Sequence, residues 1–336
     1  MTENKDIGAS DRKKDHIGLA FDSQTLENQL DRRFYYEPAI NHMEDQEKSI
    51  GKSFLDSFLE APIWVSSMTG GTAMANTINH NLAKACNEFG LGMGLGSCRQ
   101  LLFSDEYLND FDVRNAIGVQ PLYANLGIAQ VIDILKTDDF KRIETLLSKL
   151  RADGLIIHIN PLQEWMQPEG DKIDMNPIDC IEEATKQLKT KILVKEVGQG
   201  FGPESLKQLL KLKIAGIELA GFGGTNFTQL EALRRDECNH AQFIRVGHTA
   251  SDMVQFLNNI AKEDPSVLQK EIIISGGIKD YLTGYYLNEK CVFNSVYGQA
   301  SQFLKHAMGE YQDLAKYVKS QIEGYQMAKN YLTIAE

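Results

Sequence analysis

The sequence predicts an α/β fold, a single (β/α)₈ TIM barrel preceded by an N-terminal arm and helical extension. Three observations lead there. A short β-type run followed by a helical pattern recurs eight times along the 336 residues. Several of the runs are continuously apolar, as strands covered on both faces are. The runs also end in polar and glycine-rich stretches, where barrel enzymes carry their reactive groups.

Residues 1–60 read as a polar arm followed by one or two helices, with SFLDSFLEAP leading into the barrel of residues 61–336. The runs are APIWVSSM (61–68), GLGMGLG (90–96), QPLYAN (120–125), GLIIHIN (154–160), KILVKEV (191–197), IAGIELAG (214–221), EIIISGG (271–277) and CVFNSVYG (291–298). Between them lie amphipathic stretches such as IEEATKQLK (181–189) and ESLKQLLKLK (204–213). Strand–helix alternation repeated this often closes naturally into a barrel. An open doubly wound sheet is the rival, but its Gly-x-Gly-x-x-Gly after the first strand is absent.

Composition narrows the function. No apolar run approaches the roughly 18 to 20 residues that cross a bilayer. The first twenty residues hold charge and no apolar segment of the secretory kind, so a cytoplasmic protein is expected. Five cysteines, scattered and without a Cys-x-x-Cys pair, argue against a disulfide framework or a zinc site. A net charge of −11, from 46 acidic and 35 basic residues, repels nucleic acid and anionic membranes. An anionic small substrate would need a local basic patch, and Arg12-Lys13-Lys14-Asp15-His16 is the most compact one. Its plainer reading is a solvated charge run.

The run ends carry the candidate chemistry. The first ends in Ser67-Met68-Thr69-Gly70-Gly71, the second in Ser97-Cys98-Arg99, the third in Asn125-Leu126-Gly127. The glycines of Gly223-Gly224-Thr225 and Ser275-Gly276-Gly277 let backbone N–H groups approach a phosphate, although turns use such pairs anyway. Lys195, inside the apolar LVKEV, is costly unless it meets an anion or reaches solvent at a frayed end. His158, Asn160, Gln163 and Glu164 gather at one run end. Glu164 suits Mg²⁺, which takes one or two carboxylates plus substrate phosphate and water; a surface glutamate is the alternative.

Taken together, RKKDHI, SSMTGG, GS-x-R, N-x-G, H-x-N-x-x-Q-E, K-E-V-G-x-G, G-x-GGT and SGGI resemble, in order and spacing, the type 2 isopentenyl diphosphate isomerases. The resemblance covers roughly residues 12 to 300. It implies interconversion of isopentenyl and dimethylallyl diphosphate with reduced FMN and Mg²⁺, with NADPH as the flavin's reductant and no net redox change. By position it implies FMN contacts at Ser67, Met68, Thr69, Ser97, Asn125, Lys195 and Thr225. The turns at Gly276-Gly277 and Gly298-Gln299 match the FMN phosphate region. Substrate binding falls to Arg12, Lys13, His16, Arg99, His158, Asn160 and Gln163, with Glu164 as Mg²⁺ ligand. Gln163, His158 and Lys195 are the catalytic candidates; Gln163 is a poor acid but can position or relay a proton.

Cys98, Phe222 and Asn226 depart from the family's usual residues, and the last run lacks its small-residue stretch. A homo-oligomer, tetramer or octamer, is also implied by resemblance alone. The rival is an FMN oxidoreductase of the hydroxy-acid oxidase or inosine-monophosphate dehydrogenase kind. The first needs a His base beside a carboxylate-gripping Arg, for which Arg245 and His248 are the late candidates. The second needs a cysteine after the sixth run, and none occurs between Gly221 and Asp236.

The basic cluster generates a first prediction. If it clamps a diphosphate, Arg12→Ala raises KM, and isopentenyl diphosphate slows proteolysis within residues 1–20. Equal cleavage with and without the ligand, alongside unchanged KM, would reduce the cluster to a solvated tail.

Overall fold

Strand follows strand around one closed ring. The computed structural model describes residues 9–40, 49–67, 73–234 and 240–335. Three short strands precede the barrel's own: β1 (Phe34–Tyr36), and β2 (Lys52–Phe54), which pairs with β3 (Ser57–Leu59). Eight parallel strands then form the barrel: β4 (Ile63–Val65), β5 (Gly92–Gly94), β6 (Leu122–Gly127), β7 (Gly154–His158), β8 (Lys191–Lys195), β9 (Gly216–Glu218), β10 (Glu271–Ser275) and β11 (Asn294–Gln299). Each pairs with its sequence neighbour, and β11 closes on β4. A last strand, β12 (Leu332–Ile334), pairs antiparallel with β1 and ties the two ends of the chain together. Six of the eight sequence runs contain their barrel strand, and the other two overlap theirs: β6 runs on to Gly127 and β11 to Gln299.

Helices sheathe the ring, and each buries one stripe. Lys141–Leu150 buries Ile143, Leu146 and Leu150, spaced three and four residues apart as the helical repeat requires. Pro177–Gln187 and Pro203–Leu209 form over the two amphipathic stretches picked out in the sequence. The first has Pro at its start, and the Asn176 side chain accepts the Ile178 N–H as cap. Among the described residues no helix is long and apolar enough to cross a membrane. Cys86, Cys98, Cys180 and Cys291 are buried free thiols.

The extension differs from its sequence reading. The helix lies over the basic cluster itself, at Ala9–Leu19, with Asp11 in its first turn and His16 in its last. Residues 52–59, expected only to lead into the barrel, form the β2–β3 hairpin. Its turn residues Leu55 and Asp56 both have positive φ, 52° and 61°. Neither residue announces such a turn, for which Asn-Gly or Gly-Gly is the usual signal. Tertiary contacts hold it instead. Glu271 Oε2 accepts the Leu55 N–H at 2.5 Å, and Lys191 Nζ donates to the Leu55 carbonyl at 2.6 Å.

The hairpin closes the barrel floor. Phe54, Leu55 and Leu59 pack with Trp64, Tyr123, Ile156, Leu193, Ile273 and Val296, one inward residue from each of six strands. Their neighbours Val65, Leu155, Ile157, Ile192, Val194, Ile272 and Ile274 face the helices in the outer core. The strand period of two then carries every inward face upward from the floor. Two residues above it stand Ser66, Asn125, His158, Lys195, Ser275 and Gly298. Glu218 joins them from β9, two residues beyond Gly216. The floor is apolar and the layer above it is polar.

Phe54 is fully buried at the centre of this plug. Phe54→Ala should cost on the order of 3 kcal/mol by leaving a cavity that the rigid barrel fills poorly. Denaturant unfolding followed by Trp64 fluorescence measures it, and a loss under about 1 kcal/mol would mean the hairpin does not seal the floor.

Candidate active site

The polar layer opens at the C-terminal ends of the strands into a cavity of about 340 Å³. Ser66, Ser67, Lys195, Glu218, Ser275, Gly298 and Gln299 line its depth. Toward the rim come Gly221, Gly223, Gly224 and Thr225 from the turn after β9, and Gly276 and Gly277 from the turn after β10.

Both turns need glycine. Gly223, Gly276 and Gly277 have φ of 111°, 98° and 74°, where L side chains are strained. A Cβ on Gly276 would lie 2.1 Å from the Gly221 nitrogen. The two turns therefore pass backbone against backbone, and main chain without side chains lines this part of the cavity, a composition common at anion sites.

Deep in the cavity, among the described residues, the one cation of the layer meets its one carboxylate. Lys195 Nζ stands 3.8 Å from Glu218 Oε1, with both residues buried. The lysine also donates to the Glu196 carbonyl at 2.8 Å. Ser275 Oγ accepts the Ala220 N–H at 3.0 Å and donates to Glu218 Oε1 at 3.1 Å. The second oxygen of Glu218, with Ser66 Oγ and Ser67 Oγ, is buried without a hydrogen-bond partner. Three such atoms around one cavity are expensive in an empty protein and suit a polar occupant.

Beside Lys195, on β7 and β6, His158 Nδ1 lies 2.8 Å from Asn125 Oδ1. The Asn125 amide nitrogen donates to the Leu95 carbonyl, so its oxygen is the acceptor. Nδ1 therefore carries the imidazole proton, and Nε2 presents a lone pair. Burial and, after it, the charge of Lys195 push the His158 pKa down to about 3.

A polar rim continues along the loop after β7. Asn160 donates to Gln163 Oε1 at 3.0 Å and to Glu164 Oε1 at 2.8 Å. The other Glu164 oxygen accepts the Asp171 N–H at 2.7 Å. Asp171 in turn pairs with Arg99 at 2.5 Å and accepts from Gln130 Nε2 at 2.8 Å. Gln130 takes the Gly127 N–H, which closes the chain of contacts back at the end of β6.

The structure thus gathers Ser67, Lys195, Thr225, Gly276, Gly277, Gly298 and Gln299 in one cavity. Asn125 and His158 stand in the same layer, and Asn160, Gln163, Glu164 and Arg99 form the adjoining rim. Asn160 and Gln163 also line a second cavity, of about 470 Å³, outside β7 and β8. Ser97 is exposed and lines neither cavity. Arg12, Lys13 and His16 are exposed on their helix and line neither. Met68 and Thr69 lie outside the described residues. Glu218, Ser66, Gln130 and Asp171 were not singled out in the sequence. For Glu218 a signal was there: a carboxylate inside the apolar IAGIELAG, the same anomaly that marked Lys195. Of the rival's residues, His248 lines the second cavity and Arg245 is exposed, so neither reaches the first.

Fold and site together define a parallel-barrel enzyme with a strand-end cavity suited to a polar, anionic occupant. The comparisons give the family. Isopentenyl-diphosphate delta-isomerase of Rickettsia typhi is 32% identical over 312 residues, 91% of this chain and 87% of its own length. That of Rickettsia prowazekii is 33% identical over the same shares. The chain belongs to the isopentenyl-diphosphate delta-isomerase family, and its barrel accords with the type 2 resemblance carried by the motifs. No protein-family model matches it. Among solved structures, the recombinant flavin-binding domain of baker's yeast flavocytochrome b2 aligns with TM-score 0.61 at 13% identity, over 89% of this chain and 72% of that one. A mandelate oxidase variant with a monooxide FMN adduct aligns with TM-score 0.53 at 9% identity, over 90% and 88%. These likenesses show the shared barrel.

The depressed His158 pKa has a sign that can be checked. Between pH about 6.5, the ordinary value, and about 3, the unfolded chain binds a proton here that the native chain refuses. Stability contributed by neutral His158 is complete above that window and falls as pH falls through it, by up to about 1.4 kcal/mol per pH unit. His158→Gln should therefore shrink the difference between unfolding midpoints at pH 4.5 and pH 7. An unchanged difference would mean the imidazole charges freely in the native state.

Proposed function

We propose that this enzyme interconverts isopentenyl diphosphate and dimethylallyl diphosphate by proton transfer, with reduced FMN in the first cavity and Mg²⁺ at Glu164. The observation that carries the reading is the polar layer itself: one ammonium, one neutral imidazole and three orphaned oxygens, capped by a glycine cradle, over an apolar floor. The relatives' name supplies the substrate, and the neighbouring structures' flavin supports the cofactor.

The residues present fit FMN. Its phosphate matches the glycine turns at Gly223–Gly224 and Gly276–Gly277, and its polar body matches Ser66, Ser67 and Glu218. When bound, the reduced ring supplies electron density and a proton-exchanging position beside the alkene. Lys195 would offset negative charge on that ring. His158, neutral with Nε2 free of its proton, can accept one or take a hydrogen bond from a protonated phosphate. Gln163, held by Asn160, orients the alkene end and relays a proton without supplying a strong acid. Arg99 grips phosphate at the rim, and the arm residues Arg12, Lys13 and His16 close over it. Binding energy spent on the unreactive diphosphate then positions the reacting carbons.

Glu164 suits Mg²⁺ as a single carboxylate whose two oxygens are both oriented by hydrogen bonds, the remaining positions falling to substrate phosphate and water. NADPH would serve as the source of electrons for the flavin. Tetramers or octamers and a cytoplasmic setting complete the proposal.

The test is anaerobic incubation of FMN-loaded protein with isopentenyl diphosphate, Mg²⁺ and NADPH. Dimethylallyl diphosphate should accumulate to an equilibrium mixture with no net NADPH consumed per turnover; stoichiometric oxidation of NADPH without isomer would discard the reading. Under the same conditions Glu164→Gln should raise the Mg²⁺ needed for half-maximal rate by tenfold or more with flavin content unchanged. An unaltered Mg²⁺ titration would point to a metal held by phosphate alone.

A further inference from the structure

We infer that Glu218 is a cofactor-binding carboxylate, whose second oxygen accepts a hydrogen bond from the polyhydroxyl chain of a bound flavin nucleotide. This rests on the reading of the first cavity as an FMN site, and it assigns a role to a residue that neither the motifs nor the comparisons mark.

Glu218 has no exposed surface, yet it lines the cavity. Its Oε1 is committed to the Ser275 hydroxyl at 3.1 Å and to Lys195 at 3.8 Å. The Ser275 oxygen is held by the Ala220 N–H it accepts, which leaves its own hydrogen to donate to Glu218 Oε1. The carboxylate is therefore fixed in orientation, and Oε2 is left buried without a donor. A carboxylate oxygen in that state is among the costlier atoms a barrel can hold. Keeping it requires a donor that arrives with the ligand.

Strand order says which part of the ligand that is. Around the ring β9 stands between β8 and β10, and Glu218 is in register with Lys195 on one side and Ile273 on the other. Lys195 marks the end of the cavity for an electron-rich ring. Gly276 and Gly277, just beyond β10, mark the phosphate end. A molecule spanning the two must pass Glu218 with whatever links ring to phosphate. In a flavin nucleotide the link is a chain of hydroxyls, each able to donate.

The experiment is fluorescence titration of the full chain, freed of flavin, with FMN and with lumiflavin, which has the ring but neither hydroxyl chain nor phosphate. Glu218→Gln keeps the shape and removes the charge. It should weaken FMN binding about tenfold, the difference between a charged and a neutral acceptor, while lumiflavin affinity changes less than about twofold on the same basis. Intact lumiflavin binding also certifies that the variant's pocket is folded. Equal weakening of both ligands would overturn the inference, since Glu218 would then act on the ring or on the fold. Unchanged FMN affinity in the variant would overturn it as well, leaving the FMN reading intact. If the wild-type chain quenched no FMN, that reading would fall and the inference with it.

Discussion

A two-residue alternation in a closed ring governs what this barrel can do. With helices outside, inward side chains stack in layers, and a strand cannot move one residue without exchanging its inner and outer faces. The apolar floor of Trp64, Tyr123, Ile156, Leu193, Ile273 and Val296 fixes that register. Once it is fixed, Ser66, Asn125, His158, Lys195, Ser275 and Gly298 have no other direction to face. The chemistry is thus positioned by hydrophobic packing beneath it, and the hairpin bearing Phe54 seals the packing from below.

Within the polar layer, charge is sparing and balanced. Lys195 and Glu218 offset one another across adjacent strands, so the barrel interior carries no net charge from this pair before a ligand arrives. Their cost is reduced further by the Glu196 carbonyl and the Ser275 hydroxyl. What remains unsatisfied is oxygen: Ser66, Ser67 and Glu218 Oε2. Burial and, after it, the charge of Lys195 keep His158 neutral, which leaves a lone pair on Nε2 at neutral pH.

The rim follows a different rule. Arg99, Gln130, Glu164 and Asp171 are arranged by loops, and they hold one another through a chain of hydrogen bonds from β6 to the loop after β7. Because the contacts are polar and partly exposed, each is individually weak. Linked, they orient Glu164 and Arg99 ahead of any ligand. The overall charge of −11 disfavours an incoming anion, and at this rim it is Arg99, held by Asp171, that offers the opposing charge.

By itself the sequence determined the number and order of the barrel strands, because apolar runs of strand length separated by amphipathic helices have few other ways to bury their faces. It also marked strand ends that carry polar groups into the barrel, because Lys195 in LVKEV and His158 in GLIIHIN break an apolar pattern that burial otherwise enforces. Glu218 breaks IAGIELAG in the same way, and the anomaly is legible once Lys195 is known to need a partner. The hairpin at 52–59 was not legible, since its Leu55–Asp56 turn has no local signature and is held by Glu271 and Lys191 from more than a hundred residues away. Nor was Asp171, a loop carboxylate like many others until folding sets it between Arg99, Gln130 and Glu164. Pattern in the chain records which residues must be buried; which buried or tethered groups meet depends on ring closure and loop course, and those exist only in three dimensions.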